Sequence, residues 1–280
     1  MSSLPKYCEE FILERRFLLG VSERTVDWYE QAFRQLGKYC PEEVTEAGLK
    51  ACIIGMRQTA KPISVNSRIR VFKTYLNWSK SDIKLGYLKT EQKEIQIFKP
   101  EDIRKLVGFR ATTTNDRRVK LLCLLLLDAG LRVEEALALQ VSKVDLDNLI
   151  LLVKGKGDKE RVVPISYELR KALHIWCREK KASSFDYLFS THTRTRLSRR
   201  NALRDFKNLC KKAGVIPPPR AIHALRHTFA VNYLRNGGNL FYLARILGHS
   251  KVTTTQVYLN AVSSDDLSAV HQQRSILARM

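Results

Sequence analysis

Apolar residues recur at helical spacing along most of this chain. Tyr7, Phe11, Ile12 and Leu18 share a side of a helix predicted over residues 6–18, a second periodic stretch covers 22–39, and Pro41 closes it. A third helix begins near Ser64, where Val65, Ile69, Phe72, Tyr75 and Leu76 fall three or four apart and the other face carries Arg68, Arg70 and Lys73. Between residues 79 and 100 the pattern thins to polar, Lys-containing sequence, as in a linker. Pro100, Glu101 and Asp102 then open a helix, since Pro fits the first turn and acids favour the positive end of the helix dipole.

The apolar run at 121–127 reads as a buried helix, being far short of the ~20 residues that span a bilayer. Gly130 marks a turn after it and places Arg132 at the start of the next helix, whose pattern resumes over 133–139. Only 149–153 and 161–165 read as strands, flanking a Gly-containing hairpin turn. Helices follow, broken at Pro217, Pro218 and Pro219. The expected fold is mainly α with a small antiparallel sheet (α+β): a helical domain over 1–80, a linker over 81–99 and a second domain over 100–280.

Composition adds a partner class. The 280 residues carry 49 Lys and Arg against 28 Asp and Glu, a net charge of +21, and 44% hydrophobic residues supply a core that a disordered basic tail lacks. Such an excess favours a polyanion, either nucleic acid or an anionic membrane surface. Residues 1–96 account for +4 of it and residues 97–280 for +17. From Arg194 to Arg226 there are ten basic residues and one acid, Asp205, interrupted by Leu197, Leu203, Phe206 and Leu209, which makes that segment a folded basic helix and not a tail. The amino terminus has acids at Glu9, Glu10 and Glu14 and no apolar centre of a secretory signal, so no such signal is expected. Six scattered cysteines with no CxxC pair read as free thiols.

Common catalytic systems are missing. No GxxxxGK[ST] phosphate loop occurs, and His223 and His227 enclose Ala-Leu-Arg where a zinc hydrolase needs a Glu. What remains is Arg132 after a Gly turn, Lys156 at a hairpin tip, His223 and Arg226 three apart, His249 after Gly248, and Tyr258 nine residues later. Taken singly these are a surface Arg, a solvated Lys, a helix-capping His and a core Tyr.

Taken together they resemble the tyrosine recombinase (phage integrase) family. The resemblance rests on Ala129-Gly130-Leu131-Arg132-Val133-Glu134-Glu135, on Gly155-Lys156-Gly157-Asp158-Lys159-Glu160-Arg161-Val162-Val163-Pro164, on His223-Ala224-Leu225-Arg226-His227-Thr228-Phe229-Ala230, on Leu247-Gly248-His249-Ser250 and on Thr254-Thr255-Gln256-Val257-Tyr258, in that family's order from about residue 100 onward. Residues 1–96 match only in the general character of a helical, SAM-like core-binding domain. The resemblance implies a C-shaped clamp on double-stranded DNA and a site-specific recombinase, Xer-like in its small two-domain form and suited to integration, excision or dimer resolution. It implies Tyr258 as nucleophile, Arg132 and Arg226 as phosphate clamps, Lys156 as general acid, and His223 and His249 as the remaining activating groups, with no metal and no cofactor.

The chemistry agrees. Two guanidiniums offer planar, paired donors to a phosphodiester gaining charge. A phenol of pKa ~10 needs a neighbour to take its proton, a role given to His223, and the leaving 5′ oxygen needs a proton that a Lys can deliver. Lys154, Lys156 and Lys159 share one turn, and only the family register selects Lys156. Glu135 is read as orienting a neighbour, and His227 as a structural helix residue outside the set. Arg68, Arg70, Lys73, Arg194, Arg196, Arg199, Arg200, Arg204 and Lys207 are expected on DNA. The resemblance further implies paired recombination sites, a tetramer joined through the C-terminal segment, and a cytoplasmic, nucleoid-associated protein without membrane partners. Two rivals stand beside this reading: a non-catalytic DNA-binding regulator, because 241–256 also reads as helix, Gly turn, helix, and a tyrosine topoisomerase acting without paired sites.

Overall fold

The computed structural model describes residues 4–91, 94–155, 160–180, 183 and 186–274. They form two units, Met1–Lys93 and Glu94–Met280.

The first unit is helical. A short turn at Lys6–Cys8 leads into α1 (Glu9–Leu13), which widens to π geometry over Glu14–Leu18 and is followed by α2 (Glu23–Leu36), α3 (Glu46–Thr59) and α4 (Pro62–Trp78). Helix α2 buries Val26, Tyr29, Ala32, Phe33 and Leu36 at spacings of three and four. Its core is aromatic: Phe33 and Tyr75 have ring centroids 5.3 Å apart, Phe11 and Trp78 5.5 Å. Sequence periodicity missed α3. Two glycines lower its propensity and the exposed Ile54 blurs its apolar face, but the Thr45 hydroxyl accepts from the Gly48 amide at 3.1 Å and caps it, and Leu49, Cys52 and Met56 pack it onto the core.

After α4 the described residues up to 99 form no helix or strand, and they divide between the units. Asn66 clamps Leu88 through two 2.8 Å hydrogen bonds, and Ile83, Leu85 and Leu88 pack on the first core. Ile95, Ile97 and Phe98 pack in the second unit, where the Phe98 amide donates to Thr228 at 2.9 Å.

The second unit is built around α6 (Thr114–Ala129), buried on nearly all sides through Val119, Leu121, Leu122, Cys123, Leu125, Leu126 and Ala129. Each fully buried Leu contributes about 1.5–3 kcal/mol. Around it lie α5 (Pro100–Gly108), α7 (Val133–Ala138), α8 (Tyr167–Lys180), α9 (Arg199–Lys212) and α10 (Ala221–Arg235). Then come α11 (Leu240–Leu247), α12 (Thr253–Gln256) and α13 (Ser264–Arg274). The antiparallel sheet runs β1 (Val144–Asp145), β2 (Ile150–Lys154), β3 (Glu160–Pro164), with Leu151 opposite Val163. β1 was not legible because two residues carry no period. The fold is mainly α with a small antiparallel sheet, as the patterning predicted. The six cysteines are free thiols, and among the described residues no helix is long and apolar enough to cross a membrane.

Candidate active site

The site begins at the turn between α6 and α7. Gly130 adopts φ +61°, and a Cβ there would lie 2.2 Å from the Phe229 ring, so a side chain is excluded by both conformation and space. The turn sets Arg132 as the N-cap of α7. Glu135 reaches back to accept from the Arg132 amide and from its guanidinium, each at 2.8 Å.

Glu135 is the anionic hub. Its carboxylate also takes Arg161 at 2.8 Å and stands 3.8 Å from Arg226, with only 8% of the side chain exposed. Burial acts to raise its pKa, but the bonds to Arg161 and Arg132 prevail and hold it below the usual carboxylate range. Three guanidiniums against one carboxylate leave an excess of positive charge, the arrangement an incoming phosphate requires.

Arg226, on α10, is 6% exposed. It donates to the carbonyls of Gly130 and Leu247 and to His249 Nε2, each at 2.9 Å. Burial, then the charge of Arg132, lowers its pKa to about 10, which leaves it charged at neutral pH. His249 follows Gly248, whose φ of +67° ends α11 and whose missing Cβ leaves room for the Arg161 guanidinium. Because a guanidinium only donates, His249 Nε2 accepts and its Nδ1 carries the proton toward Thr255 Oγ1, 2.8 Å away. Burial and Arg226 push the His249 pKa down to about 4.

Tyr258 lies beyond α12, 3% exposed. Its phenol is 3.0 Å from His227 Nδ1 and faces Arg226, which pulls its pKa down while burial raises it further. Burial prevails.

Arg132, Arg226, His249 and Tyr258 are therefore brought together. His223 is bonded to a different partner: its Nε2 accepts from Arg199 at 3.2 Å, and burial followed by Arg199, with Arg226 and Arg132 as smaller causes, lowers its pKa. These two residues line a cavity of about 470 Å³ with Arg220, Val133, Leu203 and Ile222. Lys156 and Lys159 lie outside the described residues, and Lys154 ends β2. Sequence reasoning missed three members. Arg161 sits in a strand where nothing marks its partner, Thr255 is one of three consecutive threonines, and His227 differs from an ordinary helix residue only by its contact with Tyr258.

The expected DNA contacts separate into groups. Arg68 lies about 200° around α4 from Arg70 and is tied to the Trp28 carbonyl and Gln31, each at 3.3 Å, so the two do not share a stripe. Arg70 is exposed, and Lys73 stacks over Tyr87 at 4.8 Å. Arg196 is paired with Glu134 at 2.6 Å and Arg204 with Asp205 at 3.0 Å. Arg194, Arg200 and Lys207 are exposed.

A helical unit bearing a buried, arginine-rich site with a tyrosine at its centre is the frame of a DNA strand-transfer enzyme, and comparison with known proteins agrees. Residues 96–264 match the phage integrase family. Tyrosine recombinase XerA of Pyrococcus horikoshii is 31% identical over 269 residues, covering 92% of this chain and 90% of that protein. Tyrosine recombinase XerA of Saccharolobus solfataricus is 29% identical over 267 residues, covering 89% and 86%. Among solved structures, the Tn1549 transposon integrase in complex with transposon right end DNA superposes with a TM-score of 0.77 over 96% of this chain and 99% of that one, at 18% identity, a likeness of fold. The chain belongs to the phage integrase family and is a tyrosine recombinase, an enzyme that cleaves and rejoins DNA strands.

Proposed function

We propose that the chain is a site-specific recombinase in which the Tyr258 oxygen attacks a DNA phosphodiester, forms a 3′-phosphotyrosyl bond and releases a 5′ hydroxyl. The carrying observation is the position of the Tyr258 phenol, buried and facing Arg226 inside the cluster that Glu135 organises. Arg132 and Arg226 hold the non-bridging oxygens, whose charge rises in the transition state. His249 adds a donor once phosphate displaces its contact with Arg226, by taking the tautomer with its proton on Nε2 while Nδ1 accepts from the Thr255 hydroxyl. His223 completes the phosphate pocket beside Arg199, and Lys156 protonates the leaving oxygen. The phosphotyrosyl ester stores the bond energy, so rejoining to a new 5′ hydroxyl needs no ATP.

The duplex is held by the exposed cations Arg70, Arg194, Arg200 and Lys207 and, through exchange of their present partners, by Arg68, Lys73, Arg196, Arg199 and Arg204. Residues 1–80 act as the core-binding domain and 100–280 as the catalytic domain. Recombination proceeds on paired sites in a tetramer joined through the C-terminal segment. Helix α13 lies on its own α10 through Arg235 and Asp266, 3.1 Å apart, so exchange between protomers requires its release.

The test is a duplex nicked just beyond the scissile phosphate, which traps the adduct. The wild type forms a covalent complex and Tyr258→Phe binds equally but forms none. Equal adduct from the variant overturns the assignment, and binding without adduct by the wild type favours a regulator.

A further inference from the structure

Tyr258 must lose its phenolic proton before it can bond to phosphorus. Among the described residues two groups face that oxygen: the Arg226 guanidinium and, at 3.0 Å, His227 Nδ1. A guanidinium has donors and no acceptor, so Arg226 engages a lone pair of the phenol and leaves its O–H for His227. The other two imidazoles are committed elsewhere. His223 Nε2 accepts from Arg199, and His249 is held between Arg226 and Thr255. Of the three, His227 is the one whose ring nitrogen meets the reacting proton.

We propose that His227 Nδ1 takes the phenolic proton of Tyr258 during strand cleavage and returns it during rejoining, a proposal that rests on the reading of Tyr258 as nucleophile. In cleavage the Tyr258 O–H bond breaks and its proton passes to Nδ1. The phenolate oxygen bonds to phosphorus, the bond from phosphorus to the 5′ oxygen breaks, and that oxygen departs with a proton from the general acid. In rejoining the 5′ hydroxyl attacks, its proton goes back to the acid, and the departing phenolate recovers its own from His227. No further reactant enters.

The surroundings suit this exchange. Among the described residues the charged and titratable groups facing His227 are His223, Arg226 and Arg220, on or at the start of α10, and Tyr258 from beyond α12. Burial, followed by the charges of these neighbours, lowers its pKa, so the ring is neutral and its lone pair open at neutral pH. An imidazolium here is disfavoured until a negative phosphodiester occupies the cluster. Proton transfer is thereby tied to a seated substrate, and the phenol of the idle enzyme stays protonated.

The test uses the full-length protein and two nicked duplexes, one normal and one with sulfur replacing the 5′ bridging oxygen. A thiolate leaves without a proton, so the second substrate bypasses the acid and reports the nucleophile alone. Tyr258→Phe comes first: adduct formation by that variant would remove the reading on which the proposal stands. His227→Asn retains an acceptor oxygen for the phenol but cannot carry a proton at working pH. It should slow adduct formation on both substrates by about 10²-fold or more, with DNA binding unchanged and a rate that keeps rising with pH toward the phenol's own ionisation. His223→Asn, which alters the phosphate pocket, should slow both substrates by a similar factor and keep the wild-type pH profile on the sulfur substrate. The proposal is overturned if His227→Asn stays within a few-fold of wild type across the pH range, or if it is His223→Asn whose rate on the sulfur substrate keeps rising with pH toward the phenol's own ionisation. The second arm decides by itself if the melting curve shows that His227→Asn does not fold.

Discussion

Glu135 stands one turn into α7 with its carboxylate shared by Arg132, Arg161 and Arg226. Removing one partner of a buried ion pair costs about 3–5 kcal/mol, because the charges left behind have lost their counterion without regaining water. Glu135→Ala should therefore lower unfolding free energy by that order in urea titration, and abolish cleavage as the arginines separate. An unchanged midpoint would show the carboxylate to be dispensable. The histidines set an acid limit. His223, His227 and His249 all have pKa values below the ordinary 6.5, His249 at about 4, so each folded state prefers the neutral ring. Their contribution is whole above about pH 6.5 and is lost as pH falls toward 4, because the unfolded chain binds protons that the folded one refuses. Thermal melts across that window should show stability falling with pH, less steeply in His249→Gln. A flat profile would contradict the burial of these rings.

At the scale of elements, two features carry separable tasks. The α6 to α7 turn depends on Gly130, where Ala would combine left-handed strain of about 1 kcal/mol with overpacking against Phe229 of about 1–3 kcal/mol. Gly130→Ala should destabilise the fold and impair cleavage more than binding, since Arg132 leads out of that turn. Helix α9 presents Arg200, Arg204, Lys207 and Lys211 on an exposed stripe at spacings of four, three and four. Replacing Arg200 and Lys207 by Ala should weaken DNA binding across all sequences and reduce the slope of log K against log salt by about two, at roughly 0.9 per phosphate contact. An unchanged slope would place α9 away from the duplex.

Across the whole molecule, charge and catalysis lie in the same unit: +17 of the net +21 falls after residue 96, with every proposed catalytic residue. Helix α13 follows the site directly and rests on the end of α10 through Arg235 and on the Gly237 carbonyl just beyond it. Deleting residues 264–280 should impair strand exchange between paired sites more than binding to one site. Loss of single-site binding would make the segment structural.

Much of this was legible in one dimension. The helices at 23–36, 62–78 and 114–129 and the β2–β3 hairpin follow from periods of 3.6 and 2. Gly130 and Gly248 announce the turns that carry Arg132 and His249, because chain direction there is a local property. α3 was lost because its glycines weaken the local signal that its packing on Leu49, Cys52 and Met56 restores. By itself the sequence determined most element types, the strongly basic stretch after residue 96 and the residues with the right chemistry. Tertiary structure alone decided which of them meet. Arg161 joins Glu135 across 26 residues, Arg226 joins His249 across 23, and His227 joins Tyr258 across 31, while His223 turns to Arg199. A period reports which face of an element is buried; it carries no information about the partner on another element, and proton transfer needs that partner within hydrogen-bonding distance.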